Sequence, residues 1–184
     1  MMNLELIKET ALIEAILFLE AEPLDEAALG KISGLSQDII GKALENLAAR
    51  YENADSGLEL SRIAGGLMLS PKKEYWENLK YRYGKKNESH LSRAAMETLS
   101  IIAYSQPITR SEVEALRGVQ ADNMIRLLID KKLIREMGKK DVPGKPVLYG
   151  TTKEFLMVFR LASIADLPKL SESEAERFEL EKEC

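Results

Sequence analysis

One histidine and one cysteine set the limits of the chemistry open to this 184-residue chain. Centres that gather several His and Cys side chains around a metal are ruled out by count, so neither a metal nor a cofactor is expected. A Ser–His–acid triad would have to recruit His90, which lies in the polar run Lys85-Lys86-Asn87-Glu88-Ser89-His90. A general base needs a rigid, part-buried setting, and that run has the composition of a linker. The sharpest enzymatic motif left is Gly138-Lys139-Lys140-Asp141-Val142-Pro143-Gly144-Lys145-Pro146, which is reminiscent of a phosphate-binding loop. Such a loop needs four residues between its glycines, then Gly-Lys-Ser/Thr, on a path from strand to helix. Here five residues separate Gly138 from Gly144, Pro146 replaces the magnesium-binding hydroxyl, and both flanks are strand-like. The segment is expected to be an exposed loop. No catalytic residue and no small-molecule substrate are expected.

Contact with phosphate through lysine and arginine is a different chemistry, and the charge balance bears on it. Residues 1–88 hold 11 Lys/Arg against 15 Asp/Glu, residues 89–168 hold 12 against 9, and residues 169–184 hold 3 against 6, for a net charge of −4. An acidic first half, a mildly basic second half and an acidic tail do not describe a strong DNA binder. The apolar share, 45%, is that of a folded protein. Uninterrupted apolar runs such as Ala15–Leu19 stay far below the ~20 residues a membrane span requires. The start, MMNLELIKET, is acidic and lacks an apolar signal core, and Cys184 at the other end cannot form an internal disulfide. A cytoplasmic protein with no membrane contact is expected.

The elements that position these residues follow from an internal repeat. A shift of 84 residues lays Glu22–Leu44 on Gln106–Leu128 without a gap, matching Pro23 to Pro107, Gly34 to Gly118, Asp38 to Asp122 and Leu44 to Leu128. In each copy an apolar helix comes first, Ile7–Glu20 or Arg93–Tyr104, and proline stops it. A short second helix follows, capped by Asp25 in one copy and by the capping box Thr109-Arg110-Ser111-Glu112 in the other. Gly34 or Gly118 ends it in a left-handed turn. A third helix then turns Ile39, Ala43 and Leu47, or Met124, Leu127 and Leu128, inward. Apolar residues alternating around Ala64-Gly65-Gly66, and the runs Leu133–Met137 and Pro146–Tyr149 around Pro143-Gly144, read as β-hairpins. Closing helices are expected at Pro71–Tyr83, with proline in the first turn, and at Thr152–Leu161 behind a capping box from Thr151 to Glu154.

Helix, helix, tight turn, helix and hairpin is the winged-helix order. The expected fold class is therefore mostly α with small β-hairpins (α+β), as two tandem winged-helix domains. The expected boundaries are 1–85 for the first domain, 86–91 for a linker, 92–168 for the second domain and 169–184 for an acidic flexible tail.

The stretches ETLSIIAYSQPITRSEVEALRGV (Glu97–Val119) and KDVPGKPVLYGTTKEFLMVFRLASIADLP (Lys140–Pro168) closely resemble the segregation and condensation protein B family, as does EAILFLEAEPL (Glu14–Leu24) at the opening helix. The resemblance spans about residues 5–168. It departs at Lys145, where the family usually has arginine, and at Arg160, where it usually has glycine. It implies a non-enzymatic homodimer that binds the kleisin subunit, segregation and condensation protein A (ScpA), of a bacterial condensin-like complex. The ATPase would belong to the third subunit, a structural-maintenance-of-chromosomes (SMC) protein, and DNA would be met only indirectly or weakly. The place of action would be the cytoplasm, on the nucleoid.

Two apolar stretches give that implication an address. Eight of the nine residues of Ala11–Leu19 are apolar and cover a whole helical circumference, more than one core needs. Leu12, Ile13, Ile16, Leu17 and Leu19 are the expected dimer contact, unless their own domain wraps them entirely. Phe155–Phe159 likewise turns through more than a full circle, so Tyr149, Phe155, Val158 and Phe159 are the expected groove for an amphipathic kleisin helix, with core packing as the alternative. A transcriptional regulator that reads DNA with its third helix is the rival function. Gln120, Asn123 and Arg126 would then face bases, and Lys139, Lys140 and Lys145 would touch phosphates from the wing.

Overall fold

The computed structural model describes residues 6–20, 22–83 and 91–169, with only the backbone of Lys80. The expected linker histidine His90, most of the acidic tail and Cys184 lie outside the described residues. The chain divides into two compact units, Met1–Asn87 and Glu88–Cys184. Both combine helices with a small antiparallel sheet.

The first unit runs α1 (Ile7–Leu19), α2 (Glu26–Ser33), α3 (Gln37–Tyr51), β1 (Leu58–Ile63), β2 (Gly66–Pro71) and α4 (Lys73–Tyr83). The side chain of Asp25 caps α2 by accepting from the Ala28 amide at 2.7 Å. Ile13, Leu29, Ile40, Ala43 and Leu47 are fully buried, so the core is the meeting of α1, α2 and α3. β1 and β2 pair from Leu58↔Pro71 to Ile63↔Gly66. The reversal between them takes only Ala64 (φ 51°) and Gly65 (φ 79°), both left-handed as a tight hairpin turn of the primed type requires. Leu24 ties the chain after α1 to this hairpin through two backbone bonds with Leu67, at 2.9 and 2.7 Å. That bridge brings Pro23 so close that a Cβ on Gly66 would lie 2.7 Å from the Pro23 backbone. Pro71 ends β2 rather than opening α4: it still stands opposite Leu58 in the strand register, and α4 starts two residues later.

The second unit runs α5 (Arg93–Ser105), β3 (Ile108–Thr109), α6 (Arg110–Arg117), α7 (Asp122–Asp130), β4 (Ile134–Lys139), β5 (Val147–Thr151) and α8 (Lys153–Val158), then a 3-10 turn at Ile164–Asp166. Its sheet is antiparallel in the order β3-β5-β4, with an irregularity between Glu136 and Gly138. Leu99, Ile102, Val113, Leu128, Leu133 and Ile134 fill the core.

The 84-residue offset is visible in the backbone. α2 and α6 begin and end at positions 84 apart, and Gly34 and Gly118, which stop them, share φ 73° and ψ 6°. Leu24 and Ile108, also 84 apart, each pair with the second strand of their unit's hairpin, at Leu67 and at Tyr149.

Two local expectations need correction. The third helices bury Ile40, Ala43, Leu44 and Leu47, and Ile125 and Leu128, while Ile39, Met124 and Leu127 are only half-buried. Their phase is set by the turn after Gly34 or Gly118, which a count of apolar residues does not contain. The cap of α8 is Thr152, not Thr151: its hydroxyl accepts from the Phe155 amide at 3.2 Å, no reciprocal Glu154 bond forms, and the helix ends at Val158 instead of Leu161.

Candidate functional site

In the first unit the face that α1 turns inward is fixed by polar partners as well as apolar ones. The Glu14 carboxylate accepts from the Tyr51 hydroxyl and from the Arg50 guanidinium, the latter at 2.8 Å, and so pins α1 to the far end of α3. Burial, and then the bond to Glu14, pushes the Tyr51 phenol up to about 12. With that face held, Ile13, Ile16 and Leu17, three of the five expected dimer contacts, are buried in the unit's own core. Leu12 and Leu19 are exposed, Leu19 at 79%, and between Leu17 and Leu19 stands Phe18, exposed at 74%.

In the second unit the same division falls within α8. Phe155, one of the expected groove residues, is a core residue, 3% exposed. Phe159 stacks on it with ring centroids 4.7 Å apart and planes tilted by 40°, a favourable aromatic geometry. Phe159 and its neighbour Val158 remain 37% and 43% exposed. Tyr149 is half-buried on β5 against the core, and burial followed by the Glu136 charge raises its hydroxyl. The four expected groove residues are thus one core residue, one half-buried residue and two at the surface.

The end of β4 and the loop to β5 hold the three expected DNA-contacting lysines, Lys139 on the strand and Lys140 and Lys145 in the loop. Lys139 and Lys145 are exposed, the latter at φ 40°. Lys140 is otherwise occupied: its ammonium lies 2.5 Å from Glu112 Oε1. The other oxygen of Glu112 accepts from the Thr109 amide at 2.8 Å and from the Thr109 hydroxyl at 2.7 Å, completing the expected capping box. Partial burial would raise the Glu112 carboxyl, but the bonds from Lys140 and Thr109 outweigh it and hold it below the usual carboxylate range. Gln120, Asn123 and Arg126 are exposed on and before α7. Asp122, in the same helix, is neutralised by Arg110 at 2.5 Å. The Gly138–Pro146 segment joins two antiparallel strands, so it lacks the strand-to-helix path of a phosphate-binding loop. Among the described residues no group of His, Cys, Asp or Glu is placed to hold a metal ion, and no helix is long and apolar enough to cross a membrane.

The family model described as "Segregation and condensation complex subunit ScpB" matches residues 11–170. The chain belongs to the ScpB family. It is 40% identical over 166 residues to segregation and condensation protein B of Acetivibrio thermocellus, covering 90% of this chain and 84% of that one. With the protein of the same name from Syntrophotalea carbinolica it shares 41% over 162 residues, 88% and 82% of the two chains. Among solved structures, ScpB from Mycobacterium tuberculosis is similar at 28% identity and a TM-score of 0.40, covering 85% of this chain and 98% of that one.

Two features of this ScpB-family chain escaped the sequence. Phe18 was legible in principle: once Ile13, Ile16 and Leu17 are taken as the inward stripe, the next residue round the helix points outward. The Arg110–Asp122 pair was not, since twelve residues of separation carry no periodic signal and only the α6–α7 turn brings the two together. What these surfaces can do chemically is bind. Each unit leaves large apolar side chains at the surface near a helix end, and the second adds cations on its hairpin.

Proposed function

We propose that this chain is a non-enzymatic adaptor of the bacterial SMC–kleisin complex, acting in chromosome condensation and segregation by binding the kleisin ScpA as a homodimer. What carries this reading is membership, over residues 11–170, in a family of segregation and condensation complex subunits. In it the two units are winged-helix domains, 1–85 and 92–168, working in the cytoplasm on the nucleoid. The first unit would dimerise through Leu12, Phe18 and Leu19. The second would seat an amphipathic kleisin helix on Val158 and Phe159 beside Tyr149, with the SMC ATPase reached through the kleisin. The exposure of Phe18 and Leu19 at 74% and 79%, and of Val158 and Phe159 beside the half-buried Tyr149, supports that assignment.

The test is titration of the purified full-length chain with ScpA of the same organism. Burying an apolar side chain contributes about 1.5–3 kcal/mol, so Phe159→Asp or Val158→Asp should weaken binding by about tenfold to a hundredfold, with circular dichroism melts showing the fold intact. A second reading, a DNA-binding regulator, is favoured by the neutralised Asp122 and the exposed Lys139 and Lys145. It requires sub-micromolar, sequence-selective duplex binding at physiological salt without kleisin. Replacing Lys139 and Lys145 would then flatten the slope of log affinity against log salt by ~0.9 per contact.

A further inference from the structure

From Arg126 to Lys145 the chain passes from α7 through β4 into the connector to β5, and it holds seven Lys/Arg there against three Asp/Glu. Lys140 is taken by Glu112. Arg135, Lys139 and Lys145 are exposed, and among the described residues none of these three has an ion-pair partner. Met137 and Val142, interleaved with them in sequence, are 48% and 40% exposed. β4 has β5 on one side only. Its irregularity between Glu136 and Gly138, and the cations around it, blunt the addition of a further strand at that edge. What covers this face must therefore do so through side chains, with negative charge and a few large apolar groups.

The chain carries such a segment itself. Residues 170–184 hold six Glu against two Lys/Arg, with Phe178 and Leu180 set among Glu176, Glu179 and Glu181. They follow directly on a stretch that is fastened to the second unit. Leu161 and Leu167 pack on its core, and the Tyr104 hydroxyl donates to the Pro168 carbonyl at 2.7 Å. Beyond Lys169, fifteen residues span at most about 50 Å. That is several times the ~13 Å radius of gyration of a unit of this size, so the hairpin is within reach. The tether makes the encounter intramolecular, at an effective concentration on the order of millimolar, which lets individually weak contacts hold. We infer that residues 170–184 dock on the cationic face of the β4–β5 hairpin of their own unit. Their glutamates meet Arg135, Lys139 and Lys145, and their apolar side chains meet Met137 and Val142. Docked there, the segment withholds Lys139 and Lys145 from a phosphate backbone. This goes beyond the kleisin reading, which uses Tyr149, Val158 and Phe159.

Cys184 is the single cysteine of the chain and stands at the far end of the segment. A nitroxide attached to it in the full-length protein reports the segment's position by paramagnetic broadening of amide NMR signals. The expected broadening is strongest between Arg135 and Lys145 and is relieved at about 1 M salt, where the screening length falls to about 3 Å. Lys139→Glu combined with Lys145→Glu should reduce it by about fivefold, the loss of two exposed ion pairs. Phe178→Ser should reduce it as well, and thermal melts of the variants should match wild type. If the doubly reversed chain melts lower, Phe178→Ser decides. Broadening spread evenly over the unit or centred elsewhere overturns the inference, and so does broadening at the hairpin that these variants leave unchanged. Mixing isotope-labelled Cys184→Ser chain with nitroxide-bearing chain separates the copies. Hairpin broadening of the same strength in that mixture would put the segment on a second copy and overturn docking within one unit.

Discussion

Gly66 and Gly41 show how differently two glycines in one unit answer the same substitution. A Cβ on Gly66 would stand 2.7 Å from the Pro23 backbone, and what would have to move is the Leu24–Leu67 bridge that fastens the hairpin to the helices. Gly66→Ala should therefore cost about 1–3 kcal/mol, the range of an overpacked core. Gly41, inside α3, has open space around its Cβ position, so Gly41→Ala should stabilise by about 0.5–1 kcal/mol. Urea denaturation of the two variants checks both signs at once. Glu112 carries a prediction of a different kind. Its carboxyl is held low in the folded state by Lys140 and Thr109, so the stability it contributes is present above the ordinary carboxylate range and is lost as pH falls through its lowered folded value. Melting temperatures of wild type and Glu112→Gln should differ at neutral pH and converge in acid. Curves that run parallel down to pH 3 would show that the Lys140 contact contributes nothing.

At the scale of elements, the repeat makes an energetic statement. Gly34 and Gly118 have the same φ and ψ, and neither has an atom within 4 Å of its Cβ position, so an alanine at either meets backbone strain and nothing else. Gly34→Ala and Gly118→Ala should each cost about 1–2 kcal/mol, and by similar amounts. A large difference in their denaturation midpoints would mean that the two turns are alike only in outline. These turns were legible in the sequence because punctuation is local: Pro23, Asp25 and Gly34, with Pro107, Thr109 and Gly118, specify a cap, a stop and a reversal within a dozen residues. The inward faces were less so. Ile40 instead of Ile39, and Ile125 instead of Met124, depend on how the preceding turn rotates the helix, a tertiary outcome. The short α8 was overextended for the same reason, because FLMVF reads as one helix while the left-handed Arg160 bends the chain away after Val158.

For the molecule as a whole, the question is how many chains work together. A surface carrying Phe18 at 74% and Leu19 at 79% exposure is what a second copy would cover. Light scattering should return twice the chain mass for wild type at micromolar concentration and move toward the single-chain mass for Phe18→Asp with Leu19→Asp. Ile13→Asp is the contrasting variant: Ile13 is fully buried in its own unit, so it should unfold that unit instead of releasing a folded monomer. A wild type that stays at single-chain mass would remove the dimer from the proposal and leave the kleisin contact standing alone. The candidate surfaces were half legible in the sequence. The apolar excess of Ala11–Leu19 and Phe155–Phe159 was plain, but which members each core absorbs depends on the Glu14–Tyr51 tie and on the packing of Phe155 into the second unit's core.

The two hairpins have one further consequence, in terms of descent. The two copies of the repeat share one frame, marked by the paired stops at Gly34 and Gly118. The connectors have parted: two residues, Ala64 and Gly65, in the first copy, and the run Lys140–Pro146 in the second. A two-residue reversal with both residues left-handed has no slack, because one inserted residue would slip the register and turn every side chain of a strand to its other face. The longer run can grow at only about 0.6 kcal/mol per doubling of its length. Insertions and deletions among lineages should therefore collect in the second connector and spare the first, a pattern that a comparison of genomes would expose, and new contacts acquired by this chain over evolutionary time would enter through that one permissive loop.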